Sequence, residues 1–333
     1  MALNKSLRWK FPLNQLVCNP AGCAPSRKQN SVRRTSSLDA TWPEGRNGPM
    51  HMDGRCRDLL NGTDVKNPQV LREDSMHLVL NQERVIQSIR NDRLPLQELV
   101  GARGGGHLRA ALDEHIHAER INGSPLYLLL DDVSGASLVS GWAWSRWVDE
   151  ADSIMGSGFE EKRKFMENVC HGFATGSSAL ASDQPPRNNP QVVPLADPTD
   201  SWSWHDLPSA AGVTFRRARR IDVWMEDGSL HIDVGFQDSG SDPELGRVAI
   251  HEYHVFARAD VETGVLQELT ATPHILPFPE CPGAINNVQL VVGTPLTEMR
   301  SRVIEQLPRT KGCTHLNDLL RGLAEAPILA GYL

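Results

Sequence analysis

Two cysteines near the end of the chain each stand where a helix is predicted to begin. Cys281 precedes Pro282, a residue type favoured in the first turn of a helix. Cys313 precedes Thr314, a good N-cap, and the leucines that follow recur at helical spacing. A helix N-terminus presents unpaired N–H groups and the positive end of the dipole, so a thiolate is favoured there. The two segments therefore predict a thiolate or metal site.

The first interpretation of these side chains is a metal site. Its ligands would be Cys281, Cys313 and His315, with Asp222 or His251 completing the set. Thiolate and imidazole ligands suit zinc or iron, and ligands from separate segments of a chain are common. We expect zinc or iron as the cofactor, ahead of an iron–sulfur cluster.

The second interpretation is a nucleophilic thiol with a base and an orienting carboxylate. His315 and Asp318 are three residues apart and would share one helical face beside Cys313. The candidates for nucleophile, base and orienting group are, respectively, Cys313 or Cys281, His315 or His251, and Asp318 or Glu252.

The third interpretation is structural. Free cysteine is among the most buried residue types, so both cysteines can be small core side chains, with Asp318 as a helix cap. A disulfide between Cys281 and Cys313 is a further alternative.

The composition is typical of a soluble globular protein. Of the 333 residues, 40% are hydrophobic and 23% are charged. The formal charge of −7 argues against nucleic acid as the main partner. No apolar run approaches twenty residues, which predicts no membrane span. Six cysteines without a secretory signal suit a reducing cytoplasm, and we expect a cytoplasmic protein.

An internal repeat runs through most of the chain, which predicts two related halves. The aligned segments keep one order: Arg33–Asp39 with Arg216–Asp222, Met50–Asp53 with Leu230–Asp233, Asp58 with Asp238, and His77 with His251. The first half has no cysteine where Cys281 and Cys313 stand, so the reactive site is expected in the second half.

The hydrophobic patterns predict an α+β fold of two tandem related units, each an antiparallel meander backed by helices. In the second half, Glu226–Ser229 is a short-hairpin signal between two alternating runs. Strands are predicted at Arg219–Trp224, Leu230–Phe236, Val248–Ala259, Val265–Pro273, Met50–Leu59, Met76–Leu80 and Val85–Ile89. Helices are predicted at Pro282–Val292, Pro295–Leu307, His315–Ala324, Leu96–Val100 and His107–Glu119. Pro125–Leu130 is left between helix and buried strand.

The chain is divided by composition. The predicted parts are a flexible arm (1–30), a first unit (31–150), a connecting helix and linker (151–212) and a second unit with the Cys/His site (213–333). Trp142, Trp144 and Trp147 either line a pocket for a flat or apolar small molecule or pack between the halves.

Several longer motifs carry a family resemblance: Arg219–Asp222, Phe236–Ser239, His251–Tyr253, Leu276–Cys281 and Gly312–Arg321. Together with Arg33–Asp39, Thr41–Pro43 and Leu126–Trp147, they resemble the bacterial domain-of-unknown-function family 2889. That resemblance covers most of the chain beyond the arm and implies no established activity.

A more distant resemblance concerns the second half. A meander, then Cys281 at a helix start, then Cys313 before a terminal helix, is similar to the iron–sulfur scaffold proteins of the IscU/NifU type. The resemblance implies a SufE/IscU-like fold with zinc or cluster ligands at these two cysteines. Asp222 stands where that family has its first cysteine ligand, and His315 follows Cys313 where the family's histidine precedes it.

These observations lead to one functional expectation and two alternatives. We expect a metal- or thiol-dependent enzyme acting on a small organic molecule. The alternatives are a non-catalytic iron–sulfur or sulfur-handling scaffold that binds a partner protein, and a structural protein without a site.

Overall fold

An eight-stranded antiparallel sheet forms the centre of the computed structural model, which describes residues 17–147, 165–181 and 189–333. The strand order is β4-β3-β2-β1-β5-β6-β7-β8, so two four-stranded meanders meet where β1 pairs with β5. The strands are β1 (Ser31–Thr41), β2 (Met50–Asn61), β3 (Gln69–Leu80), β4 (Ile86–Arg90), β5 (Thr214–Glu226), β6 (Ser229–Asp242), β7 (Gly246–Asp260) and β8 (Leu266–Ile275).

Helices cover one face of this sheet. The α-helices are α1 (Gly106–His115), α2 (His117–Ile121), α3 (Pro125–Val139), α4 (Ser178–Ala181), α5 (Met299–Gln306), α6 (Thr314–Arg321) and α7 (Ala326–Ala330). The longer 3-10 helices are Ser140–Arg146 and Cys281–Val291. Among the described residues, no helix is both long and apolar enough to cross a membrane.

Two apolar cores lie between the sheet and the helices. One joins the first meander to α1 and α3, with Met52, Leu78, Leu112 and Leu130 among its members. The other joins the second meander to the C-terminal helices, with Val234, Val255, Leu316 and Leu319 among its members. The alternating strands predicted for β6 and β7 thus place their apolar rows against helices, and the predicted α+β class is confirmed.

The other face of the sheet is covered by two irregular segments. Asn19 donates its backbone N–H to the carbonyl of His274 at 2.7 Å, and the Val17 carbonyl accepts from the backbone of Leu276. Ala24 and Trp204 pack together on the centre of the sheet. The predicted flexible arm is therefore wrong from residue 17 onward, because this stretch is hydrogen-bonded to the edge of β8. Residues 1–16 lie outside the described ranges.

Charged side chains line the junction between the two meanders. Arg33 on β1 donates to Asp222 on β5 at 2.6 Å, and Arg216 on β5 donates to Asp39 on β1 at 2.5 Å. The two ion pairs cross the β1–β5 seam in opposite directions, and both guanidinium groups are buried. Opposite charges directly across neighbouring strands stabilise one register.

Most predicted elements are present, but β1 was not predicted, β3 begins earlier than predicted, and the segment from Cys281 to Val291 is a 3-10 helix. Pro125–Leu130 is helical, because it forms the first turns of α3 after an N-cap by Ser124. His77 lies opposite Asp53 in the strand register, whereas His251 lies opposite Asp238. The predicted correspondence between these two histidines is therefore wrong. Most of the predicted connecting helix falls outside the described residues.

Candidate metal centre

Asp238, His251 and His315 converge on the helix-covered face of the second meander. Asp238 on β6 and His251 on β7 are direct cross-strand partners, and His315 lies in the first turn of α6. One ligand atom from each side chain lies within 4.8 Å of the others. The Oδ2 atom of Asp238 is 3.8 Å from Nδ1 of His251 and 3.6 Å from Nε2 of His315. All three side chains are buried.

Local sequence explains this convergence. Asp238 continues the row formed by Val234 and Phe236, so the pleat directs it toward the helices. Helix α6 begins after Cys313 and buries its leucine face against the sheet, which carries His315 toward β6 and β7.

The two imidazole rings stack, with centroids 3.5 Å apart and planes at 18°. Burial lowers the pKa of His251 to about 3 and holds the pKa of His315 well below its usual value. Both rings are therefore neutral near pH 7. Within the described part of the chain, Nδ1 of His251 and Nε2 of His315 have no hydrogen-bond partner. A neutral imidazole with a free nitrogen is the form that binds a metal ion.

An arginine holds Asp238 in place. The guanidinium of Arg217 donates to both carboxylate oxygens, at 2.8 and 2.9 Å, and also donates to Asp318 at 2.8 Å. Burial raises the pKa of Asp238, while the charge of Arg217 works against that rise. This bidentate contact fixes the carboxylate with Oδ2 toward both histidines. Asp318, predicted to orient a base, is instead a partner of Arg217.

The cysteines begin helices as predicted, but burial decides their protonation. Cys281 opens a 3-10 helix and Cys313 caps α6, where its sulfur lies 3.8 Å from Nδ1 of His315. Burial raises the pKa of the Cys313 thiol and raises that of Cys281 well above its usual value. Burial therefore works against the predicted thiolates in this structure. All six cysteines fall within the described ranges, and none forms a disulfide there.

Two predicted site residues lie on the opposite face of the sheet. Asp222 is paired with Arg33 and Arg220, and Glu252 accepts from the Gln237 side chain at 2.7 Å. Neighbouring residues of a strand face opposite sides, so Glu252 is directed away from His251. Neither carboxylate reaches the two stacked histidines. Of the two groups predicted to complete the metal set, Asp222 therefore lies on the wrong face, whereas His251 joins His315 in the observed group.

The tryptophan cluster packs where the two meanders meet. Trp142 lies against Gly240 of β6, and Trp144 meets Trp42 edge-on with ring centroids 5.8 Å apart. The Trp147 indole donates to the carbonyl of Ser241 at 3.0 Å. These contacts correspond to the second of the two predicted roles, packing between the halves.

Sequence reasoning missed Asp238 as a site residue. The sequence signal for Asp238 is its alignment with Asp58 in the repeat. Its position opposite His251 depends on the strand register, which the sequence pattern does not give, so Asp238 could not be chosen over Asp222.

The site lies within a segment that matches a known family. Residues 215–329 match the family described as Protein of unknown function (DUF2889). The matched segment runs from β5 to α7 and includes Asp238, His251 and His315. It supports the family expected from the motifs of the second half. Searches of curated proteins and of solved structures gave no significant match.

Proposed function

We propose that the protein binds one divalent transition metal ion, zinc or iron(II), through Asp238, His251 and His315. Two histidines and one carboxylate form the ligand set of many hydrolytic zinc sites and of non-haem iron sites. The observation that carries the proposal is the pair of buried, neutral imidazoles whose free nitrogens both face one carboxylate oxygen.

The two halves of the sheet provide an internal comparison that supports a bound cation. In the first meander, Asp58 is held by Arg34 at 2.5 Å and also by Arg72 at 2.9 Å. In the second meander, Asp238 is held by Arg217, but His251 occupies the cross-strand position that Arg72 has opposite Asp58. Asp238 thus lacks the second positive charge that Asp58 has, and a metal ion would supply it.

The spacing of the ligand atoms suits one ion after a small adjustment. Ligands about 2.1 Å from a metal are separated from each other by roughly 3–3.5 Å, slightly less than the 3.6 and 3.8 Å observed here. The stacked rings would have to turn so that their nitrogens converge, while Arg217 would keep Asp238 in place.

With a metal bound, we propose an enzyme that acts on a small organic molecule. The ion would polarise a carbonyl group or lower the pKa of a bound water. Arg217 would orient the Asp238 ligand, and burial would keep both histidines deprotonated and available.

We also infer that the two meanders descend from one duplicated unit. The crossed pairs Arg33–Asp222 and Arg216–Asp39 are related position by position. Each arginine also donates to a proline carbonyl eight residues upstream, Pro25 at 2.9 Å and Pro208 at 2.6 Å. In this view the second unit kept or acquired the histidine pair.

Metal analysis of purified protein tests the proposed function. Protein supplied with zinc or iron(II) should hold about one ion per chain, and His251→Asn or His315→Ala should hold less than a tenth of that. His254→Ala is the matched control, because His254 lies on the same strand but on the other face. Circular dichroism would verify that each variant folds. Wild-type protein without stoichiometric metal would overturn the proposal, and metal lost in Cys281→Ser but kept in His251→Asn would favour the scaffold alternative.

A further inference from the structure

A cleft lies on the face of the sheet opposite the candidate metal centre. Its volume is about 330 Å³, within the range of small-molecule sites. The strands β6 and β7 form its floor, and the two irregular segments around Ala24 and Trp204 form its roof. The proposed metal-dependent function does not use this cleft.

A buried amide in the floor lacks a partner. Gln237 is 3% exposed and donates its side-chain NH₂ to Glu252 at 2.7 Å. Within the described ranges, its carbonyl oxygen Oε1 accepts no hydrogen bond. The second oxygen of Glu252 accepts the backbone N–H of Ala21 at 2.8 Å. A buried acceptor without a partner costs free energy of folding, so a ligand that donates a hydrogen bond to Gln237 Oε1 would be stabilised there.

Negative charge predominates around this acceptor. Arg220 is shared between Asp222 and Asp233, and Asp233 also contacts Nε2 of His254 at 3.0 Å. Asp222 is also paired with Arg33, so among these three carboxylates Glu252 is the one without an arginine partner in the described ranges. Glu252 is only 4% exposed, so water would screen little of its attraction to a nearby positive charge.

A glycine keeps the floor open. A Cβ atom at Gly235 would make an ordinary contact with the Arg220 guanidinium at 3.7 Å and would approach no backbone atom of another strand, so a larger side chain there would extend into the cleft. Apolar surface from Ala24, Leu195 and Trp204 faces this space. The cleft therefore combines an open apolar wall with hydrogen-bond acceptors and excess negative charge.

We propose that this cleft binds a small organic amine in its protonated form. The ammonium group would donate to Gln237 Oε1 and lie beside Glu252, and its carbon chain would lie against Ala24 and Trp204. The proposal is independent of the metal centre, although Gln237 and Glu252 adjoin Asp238 and His251 in sequence.

Calorimetry with three molecules of equal chain length tests this proposal. Putrescine carries positive charge, 1,4-butanediol is neutral and succinate is negative. We expect putrescine to bind at least tenfold more tightly than the diol, and succinate to give no binding. Equal affinity for putrescine and the diol, preferred binding of succinate, or no binding of any of the three would overturn the proposal.

Three variants locate the binding. Gln237→Leu and Glu252→Gln should each weaken putrescine at least tenfold, and Gly235→Val should block the cleft. Glu262→Gln is the matched control, because it removes one negative charge from the exposed hairpin after β7 and should leave affinity unchanged. Thermal unfolding would confirm that each variant is folded. Unchanged affinity in folded Gly235→Val, or an equal loss in Glu262→Gln, would overturn the assignment.

Discussion

At the scale of single residues, burial outweighs local position in setting protonation. A helix N-terminus stabilises a nearby anion by about 0.3–2 kcal/mol. Full burial can shift a pKa by roughly 3–5 units, each worth about 1.4 kcal/mol. Cys281 and Cys313 lie at helix starts but are 6% and 4% exposed, so burial prevails. Their helical positions therefore do not make them reactive.

Thiol labelling provides a residue-scale prediction. At pH 8, the exposed Cys23 should react with a disulfide reagent at least a hundredfold faster than Cys281 or Cys313, because only a thiolate in contact with reagent reacts. Labelling followed by peptide mass spectrometry measures each rate. Equal labelling rates for Cys23, Cys281 and Cys313 in folded protein would contradict the prediction. Labelling in urea is the control, because all three thiols should react once the chain is unfolded.

His205 leads to a prediction about pH. Its ring nitrogens contact Ser37 Oγ at 2.9 Å and Thr35 Oγ1 at 2.8 Å, and burial, with nearby arginines, lowers its pKa to about 3. In the unfolded chain the His205 ring takes up a proton near pH 6.5, whereas in the folded chain it stays neutral down to about pH 3. The contribution of His205 to stability is therefore complete above pH 6.5 and declines as the pH falls from 6.5 toward 3, because protonation favours the unfolded chain.

The expected loss from His205 is about 2 kcal/mol between pH 7 and pH 5. Urea unfolding at both values should show a smaller decrease in His205→Gln than in wild type. His117→Gln is the control, because this histidine is exposed on α2. The same pH dependence in His205→Gln and wild type would contradict the assignment.

At the scale of elements, the sequence predicted whether a segment is a helix or a strand better than it predicted which segments touch. The alternation of apolar and polar residues predicted β6 and β7, and the spacing of leucines predicted α6. Pro125–Leu130 stayed undecided, because α3 is buried nearly all round and its apolar residues show no stripe. The pairing of Asp238 with His251 depends on a register with a bulge after Asp238, which local patterns do not encode. The site therefore could be placed in the second half, but its ligands could not be chosen.

The packing of α3 on β5 gives an element-scale prediction. A Cβ atom at Gly135 would collide with Asp318 Oδ2 and the Arg217 guanidinium, whereas one at Gly141 would meet open space. In an exposed helix, Gly→Ala stabilises by up to about 1 kcal/mol. Here steric overlap with a buried ion pair should dominate, so Gly135→Ala should destabilise by about 1–3 kcal/mol.

Chemical denaturation of both alanine variants measures this difference. Gly141→Ala should leave the free energy of unfolding unchanged or slightly raised. Equal stability of Gly135→Ala and Gly141→Ala would contradict the close packing of α3 on the ion pair between Arg217 and Asp318.

At the scale of the whole molecule, the two meanders share one sheet and one buried line of charges. Arg33 and Arg216 each reach across the β1–β5 seam, so each half completes ion pairs begun by the other. Losing one partner of a buried pair typically costs about 3–5 kcal/mol, because the other charge stays buried. Damage at the seam should therefore destabilise both halves rather than one.

Asp222→Asn tests this coupling, because it weakens the contacts of Arg33 and Arg220 at the seam. Hydrogen exchange should show that amide protection in β2 and in β6 falls together and by similar amounts. Glu262→Gln, an exposed change of the same kind, should leave both strands protected. Loss confined to β6 would show that the halves open separately. A joint loss would mean that the candidate metal centre in the second half is stable only while the first half is folded.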